Sequence, residues 1–443
     1  MELKILTFNF WGLAFISKDR APRLAALGAT LARGEYDIVC LQELWIHAEY
    51  ESLRHDIQAA YPYSRFFHTG ALGSGLAIFS QHPITESHAL PYSLSGVPHQ
   101  VIQGDFYVNK AAARVTVRHA RLGEIEVWNT HMHAAGEDGP DTAQAHRMAQ
   151  AWQLATEVRR GARGGRYVFA MGDFNSQPWS IPIALLRGYG GLRDSFVEAH
   201  PQANDPLPNI SATQALENVG MTCDSPLNTW SQGKPIPPNV TSAGGKRLDY
   251  IFYTPPLIQG HAQRGLRCSA SKVVLTEHIP GREMSYSDHF GLASTFMLSD
   301  EPNPRPASQA PLLLDSASES SFVAPTAGGS VYELQRADSG SDGAIRAAIT
   351  ALHAYGQLAR ARTLRFSALV LTCIVAAVGL TVGSAWQPKA WIQPIFTLLA
   401  FALGAFGATM LYAGWLWGRW EKGLLDEVTS EMEEALRANE EAR

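Results

Sequence analysis

The chain has 443 residues, 46% of them hydrophobic and 17% charged, and 36 Lys+Arg against 41 Asp+Glu leave a net charge of −5. That length allows two or three domains, or one large domain with appendages, and the composition fits a globular protein with extra hydrophobic segments. The charge balance excludes a global field that would draw in nucleic acid.

In chain order, residues 1–298 read as one α/β domain. Short apolar runs recur at 3–8, 37–41, 75–79, 114–118, 125–128, 167–171, 248–252 and 291–296, with turn signals and helical segments between them. Residues 145–159 form the clearest predicted helix, with Met148, Ala151, Trp152, Ala155 and Val158 at three- and four-residue spacing. The opening Met1-Glu2-Leu3-Lys4 and its short apolar run do not make a secretory signal. Cys40, Cys223, Cys268 and Cys373 form no CxxC pair, so reduced, buried thiols and a reducing compartment are expected.

Composition changes at Ser299. Residues 299–343 are Pro, Ser, Ala, Gly and Asp with few large apolar side chains, which predicts a flexible linker. A linker of this size would span roughly 35–40 Å root-mean-square. Residues 344–365 read as a basic juxtamembrane helix. The uncharged segments 366–386 and 391–418 are each long enough to cross a bilayer core, which takes about 20 apolar residues. Trp386, Trp391, Trp415, Trp417 and Trp420 cluster near their ends, as interfacial aromatics do. Arg360, Arg362, Arg365, Arg419 and Lys422 flank the outer ends, whereas the short turn carries only Lys389. A two-helix transmembrane hairpin with both outer ends in the cytosol is therefore expected, followed by a cytosolic tail at 419–443.

Polar residues sit at the ends of the apolar runs: Asn9, Gln42-Glu43, Asn129-Thr130-His131, Gly172-Asp173-Phe174-Asn175, Asp249 and Ser287-Asp288-His289. Strand ends on one edge of an α/β sheet converge on a shared crevice, where ligands bind. Carboxylates, side-chain amides and two histidines in one crevice suit phosphoester hydrolysis. Mg²⁺ takes hard oxygen ligands, so Glu43 fits as principal ligand, helped by Asn9. A histidine near neutral pKa deprotonates water when a carboxylate fixes its tautomer, and a second donor neutralises charge on the phosphoryl oxygens or the leaving alkoxide. Taken singly, a Gly-Asp turn or an Asn-Thr-His run is more often a turn or packing; the argument rests on the set. His47, His55, His82, His146 and His278 have no such support and are expected to be surface or core residues.

In this order and spacing, the set resembles the endonuclease/exonuclease/phosphatase superfamily over residues 3–298. That resemblance implies a deoxyribonuclease-like four-layer α/β/β/α sandwich. Finer matches are similar to the neutral sphingomyelinases: Asn9-Phe10-Trp11-Gly12, Ser74-Gly75-Leu76-Ala77-Ile78-Phe79-Ser80-Gln81-His82-Pro83-Ile84, Gly104-Asp105-Phe106 with Lys110-Ala111, and Thr130-His131-Met132-His133-Ala134. Thr222-Cys223-Asp224-Ser225-Pro226-Leu227-Asn228-Thr229-Trp230 resembles the fungal inositol phosphosphingolipid phospholipase C branch. The resemblance implies Mg²⁺ near Glu43, with Asn9 and Asp288 on the metal side. It gives His289, oriented by Asp249, the activation of water, and Asp173 and Asn175 the positioning of nucleophile and phosphoryl group. His131 would stabilise the pentavalent state or protonate the leaving ceramide oxygen. Lys110 and Asn129 would contact substrate. The implied partner is a sphingolipid in an endoplasmic reticulum or mitochondrial membrane, with anionic phospholipids as possible activators and no nucleic acid. A nuclease would be expected to show a basic face. An inositol-polyphosphate phosphatase would carry motifs missing here, where the turn continues Asn175-Ser176-Gln177-Pro178.

Overall fold

The computed structural model describes residues 2–71, 73–134, 141–204, 210–257, 265–299 and 341–441. The linker expected at 299–343 therefore lies almost wholly outside the described residues. Two units are distinguished: one of residues 1–95 and 107–347, the other of 96–106 and 348–443.

Among the described residues the first unit is built from twelve strands: β1 (Glu2–Asn9), β2 (Ile38–Gln42), β3 (Tyr63–Phe67), β4 (Leu76–Ser80), β5 (Ile84–Pro91), β6 (Ala111–His119), β7 (Gly123–His131), β8 (Tyr167–Asp173), β9 (Arg193–Asp194), β10 (Asp249–Thr254), β11 (Gly265–Val274) and β12 (Gly291–Ser299). They form two six-stranded sheets, ordered β11-β12-β1-β2-β4-β3 and β5-β6-β7-β8-β10-β9.

Side chains two apart along a strand share a face, and both faces of the central strands are apolar. Leu3 and Ile5 of β1 join Ile38 and Cys40 of β2, Val127 of β7, Phe169 and Met171 of β8 and Ile251 of β10 in one cluster between the sheets. The alternate residues Leu6, Phe8, Val39, Leu41 and Phe79 meet Leu24, Leu27, Leu31, Leu53 and Ile57 from helices Arg20–Leu31 and His47–Ile57. On the far side Trp128, Val168, Ala170, Tyr250 and Phe252 meet Leu154, Val158, Ile183 and Leu186 from helices Asp141–Arg163 and Ile181–Gly188. The result is the expected four-layer α/β/β/α order. Each large apolar side chain so buried contributes about 1.5–3 kcal/mol.

The second unit is helical. Helix Ser341–Gly383 runs without a break from the basic segment into the first apolar stretch; after a turn, Gln393–Leu411 and Trp417–Glu441 return. Both helical segments are long and apolar enough to cross a membrane, and only 6% of either apolar window is buried. Glycine permits close approach between them: a Cβ on Gly414 would meet the Cβ of Phe366 at 2.5 Å, and one on Gly418 would strike Thr363. Beyond the apolar windows, buried Glu421 accepts from Tyr355 Oη at 2.5 Å and pairs with Arg362. Residues 96–106, which the sequence reading kept in the catalytic domain, belong to this unit. His99 lies edge-on to Phe366 with centroids 5.2 Å apart, and Phe106 to Trp417 at 4.9 Å.

Candidate active site

The inward-facing rows of the central strands end in polar residues at one edge of the sandwich. On β1 the row Leu3, Ile5, Thr7 ends at Asn9; on β7 it runs Ile125, Val127, Asn129 to His131; on β8 Phe169 and Met171 lead to Asp173. β10 runs the other way and starts with Asp249. Register completes the alignment. Asp173 is paired with His131 across the parallel β7–β8 ladder and with Asp249 across the antiparallel β8–β10 ladder. Gly172 makes the approach possible, because any Cβ there, at φ 139°, would strike the Thr130 carbonyl.

Asn9 Nδ2 donates to Asp173 Oδ2 at 3.0 Å and to Glu43 Oε1 at 3.1 Å. Its Oδ1 accepts the Trp11 N–H at 3.0 Å, which fixes the orientation of the amide. Asn9 thus holds two carboxylates in place and turns its oxygen away from them, which departs from the expectation of an oxygen ligand. His131 Nε2 is 3.5 Å from Asp173 Oδ2 and 3.9 Å from Glu43 Oε1. Lys110 Nζ approaches His131 Nε2 at 2.8 Å. From the other side, His289 Nε2 is 3.9 Å from Asp173 Oδ2, while its Nδ1 is 2.8 Å from Asp249 Oδ2. Asn175 donates its backbone N–H to Asp173 Oδ1 at 2.9 Å and its amide to the Met132 carbonyl at 3.2 Å. Trp11, Glu43, Asn175 and Asp224 all have φ near +50°, a conformation that costs non-glycine residues energy and clusters at functional sites.

Asn129 is the exception among the expected residues. Its amide donates to the Leu41 and Ala77 carbonyls at 2.9 and 3.0 Å and its Oδ1 accepts from Gln42 Nε2 at 2.7 Å, so it ties the two sheets together behind the crevice. Asp288 stands at the rim, where its Oδ2 accepts from Lys234 Nζ at 3.2 Å. Sequence reasoning missed Lys234, which carries no local signal. It also missed that the buried Cys223 thiol lies within hydrogen-bonding reach of His289. Gln42 was in view as a strand-end residue without a role.

Electrostatics separates these groups. Burial, aided by the charge of Asp288, raises Glu43 above the usual carboxylate range. Burial and the neighbouring Asp249 push Asp173 up to about 7. Burial and the Lys110 ammonium hold His131 well below its ordinary value. His289 goes the other way: burial opposes its charge, but the negative surroundings outweigh it. Burial keeps Cys223 a neutral thiol, so the Asp249 carboxylate is the charge that makes His289 the more basic imidazole.

Excess buried carboxylate is what a divalent cation relieves. Asp173, Asp249 and His289 offer ligand atoms within 4.8 Å of one another, close enough to share one metal ion. Asp249 Oδ1 is buried there without a hydrogen-bond partner, and Glu43 faces the same crevice across Asn9. The carboxylate-rich donor set fits a hard cation.

The sequence matches the Endonuclease/Exonuclease/phosphatase family over residues 6–289. It is 34% identical over 445 residues to the inositol phosphosphingolipids phospholipase C of Schizosaccharomyces pombe, covering 98% of this chain and 94% of that protein. Its identity to the Saccharomyces cerevisiae protein of the same name is 30%, covering 98% and 90%. Sphingomyelin phosphodiesterase 2 of Homo sapiens is 30% identical over 321 residues, 71% of this chain and 70% of that protein. With the two-sheet fold and a crevice of these residues, the chain belongs to the endonuclease/exonuclease/phosphatase family and, within it, to the group of the inositol phosphosphingolipid phospholipases C.

Proposed function

We propose that the chain is a Mg²⁺-dependent phospholipase C that hydrolyses inositol phosphosphingolipids, with sphingomyelin as a related substrate, to ceramide and a phosphorylated headgroup. The observation that carries this reading is the placement of Asp173 between two histidines of opposite character, one made basic by Asp249 and one held neutral beside Lys110. The names of the relatives supply the substrate class.

In this mechanism Glu43 and Asp288 would hold the cation, with Asp173 next to Glu43 on the shared Asn9 amide, which keeps both carboxylates in place. When bound, Mg²⁺ supplies positive charge that polarises the phosphodiester. In its neutral form His289 would take a proton from the attacking water: the Nδ1–Asp249 hydrogen bond fixes the tautomer and leaves Nε2 to accept, and the raised basicity draws the proton. Asp173 and Asn175 position water and phosphoryl group. His131, kept neutral by burial and Lys110, suits stabilisation of the pentavalent state, and the Lys110 ammonium beside it would add positive charge and give the departing ceramide oxygen its proton. The hairpin would anchor residues 1–298 at a membrane with both termini cytosolic.

The test is turnover by the purified protein of inositol phosphoceramide and sphingomyelin in mixed micelles. Both should release ceramide, a chelator should abolish turnover and Mg²⁺ should restore it. Full activity in excess chelator, or restoration by Zn²⁺ alone, would sink the Mg²⁺ assignment.

A further inference from the structure

We infer that Lys234, with Trp11 and Trp230, forms the headgroup subsite and selects an inositol headgroup over choline; this rests on the phospholipase reading above.

Residues 222–234 are laced onto the stretch 285–289 that precedes β12 and carries His289. Asn228 Nδ2 donates to the Ser287 carbonyl at 2.9 Å, Trp230 Nε1 to the Ser285 carbonyl at 2.9 Å, and Ser285 N to Thr229 Oγ1 at 2.9 Å. This places Trp230 against Trp11, with centroids 5.3 Å apart and planes tilted by 58°. Trp11 follows two residues after Asn9. Buried Arg23 pins the pair: its guanidinium lies 5.1 Å from the Trp11 ring and 5.8 Å from the Trp230 ring while donating to the Phe10, Trp11 and Tyr286 carbonyls. Lys234 Nζ sits 5.9 Å from the Trp11 ring centroid and 3.2 Å from Asp288 Oδ2. Its side chain is 40% exposed, so the ammonium stands at the mouth of the crevice.

The site therefore has two lysines with separate stations, Lys110 at His131 and Lys234 at Asp288 beside His289. In-line attack by water at His289 sends the ceramide oxygen out on the opposite side, toward His131 and Lys110, which leaves Lys234 for the headgroup that stays on phosphorus. Choline is recognised by aromatic faces and anionic groups that await a cation. Here a protein cation already occupies the Trp11 face. An inositol ring carries hydroxyls that accept from an ammonium, and its C–H face packs on an indole; a trimethylammonium group meets like charge instead.

The measurement is kcat/KM of the full chain on inositol phosphoceramide and on sphingomyelin of the same ceramide, in identical micelles, for wild type, Lys234→Met and Lys234→Arg. In Lys234→Met the inositol-to-choline ratio should fall at least about tenfold, the size of one lost charge-assisted hydrogen bond. Lys234→Arg should stay within about threefold of wild type, since it keeps the charge. A parallel loss on both lipids would overturn the assignment and make Lys234 a phosphate contact or a prop for Asp288, and so would an unmoved ratio. Failure of the wild type to cleave either lipid would overturn the phospholipase reading, and this inference with it. Because the side chain is half-exposed, thermal melting of the variants should match wild type, which separates selectivity from folding.

Discussion

Asp173 is the residue on which the two histidines converge, and its neighbours show how charge is divided in the crevice. The 2.8 Å bond from Asp249 to His289 Nδ1 makes those two act as one unit, whereas Asp173 stands 3.9 Å off. His289→Ala should lower kcat by about a hundredfold to ten-thousandfold, the usual contribution of a positioned base. Asp249→Ala should cost nearly as much alone, and the double variant should be little worse than either single one. Losses that multiply would show that Asp249 does not orient His289. All the expected site residues except Asn129 reach the crevice. Sequence marks strand-end position but not which polar atoms the facing sheet will take. Asn129 is a strand-end residue whose donors and acceptor are all consumed by Leu41, Ala77 and Gln42.

At the scale of elements, the eight strands expected from apolar runs are all present, with ends shifted by up to three residues. The four missed strands, β3, β5, β9 and β11, are the four sheet edges. An edge strand keeps one side toward solvent and so lacks a continuous apolar run: β5 has no buried residue and β3 only two. The parallel β7–β8 pair carries the strictest local requirement. Gly172→Ala would put a methyl into the Thr130 carbonyl, so the strands must part just where Asp173 is presented. The expected outcome is a loss of about 1–3 kcal/mol in chemical unfolding together with a fall in kcat larger than that in lipid binding. Wild-type stability and activity in this variant would show that the ladder yields without moving Asp173.

For the whole molecule, two consequences follow from how charge and anchor are distributed. Asp173 titrates near 7, and Glu43 is raised too, so in the metal-free protein protons compete with a cation for these carboxylates. A raised acid pKa also means that the folded state binds protons more tightly than the unfolded one, so this contribution to stability fades as pH rises toward 7. Mg²⁺ opposes that loss. The gain in Tm on replacing chelator with Mg²⁺ should therefore be larger at about pH 8 than at about pH 6, with protons released on binding. A gain independent of pH would place the cation away from Asp173 and Glu43. The second consequence concerns access. A protein ending near Ser299 should hydrolyse micellar lipid but lose most activity on vesicles, and an unrelated two-helix anchor should restore much of it by effective concentration. Inactivity of the shortened protein even in micelles would make the helices part of the catalytic arrangement rather than a tether.

The inward rows that end in Asn9, His131 and Asp173, and the row that begins with Asp249, were legible because strand periodicity is local: a residue two positions along faces the same way whatever the fold. The same holds for the two apolar helical segments, which follow from length and composition. Contacts across the sandwich were not legible, since they depend on which strands become neighbours. Packing and register alone bring Lys110 to His131 and lace residues 222–234 to Ser285 and Ser287 so that Lys234 meets Asp288. They also carry residues 96–106 into the helical unit, where His99 and Phe106 find aromatic partners some hundreds of residues away in sequence. Residue type and spacing determined the chemistry on offer; long-range pairing decided which groups share it, because a side chain's partners are set by the surface it is buried against.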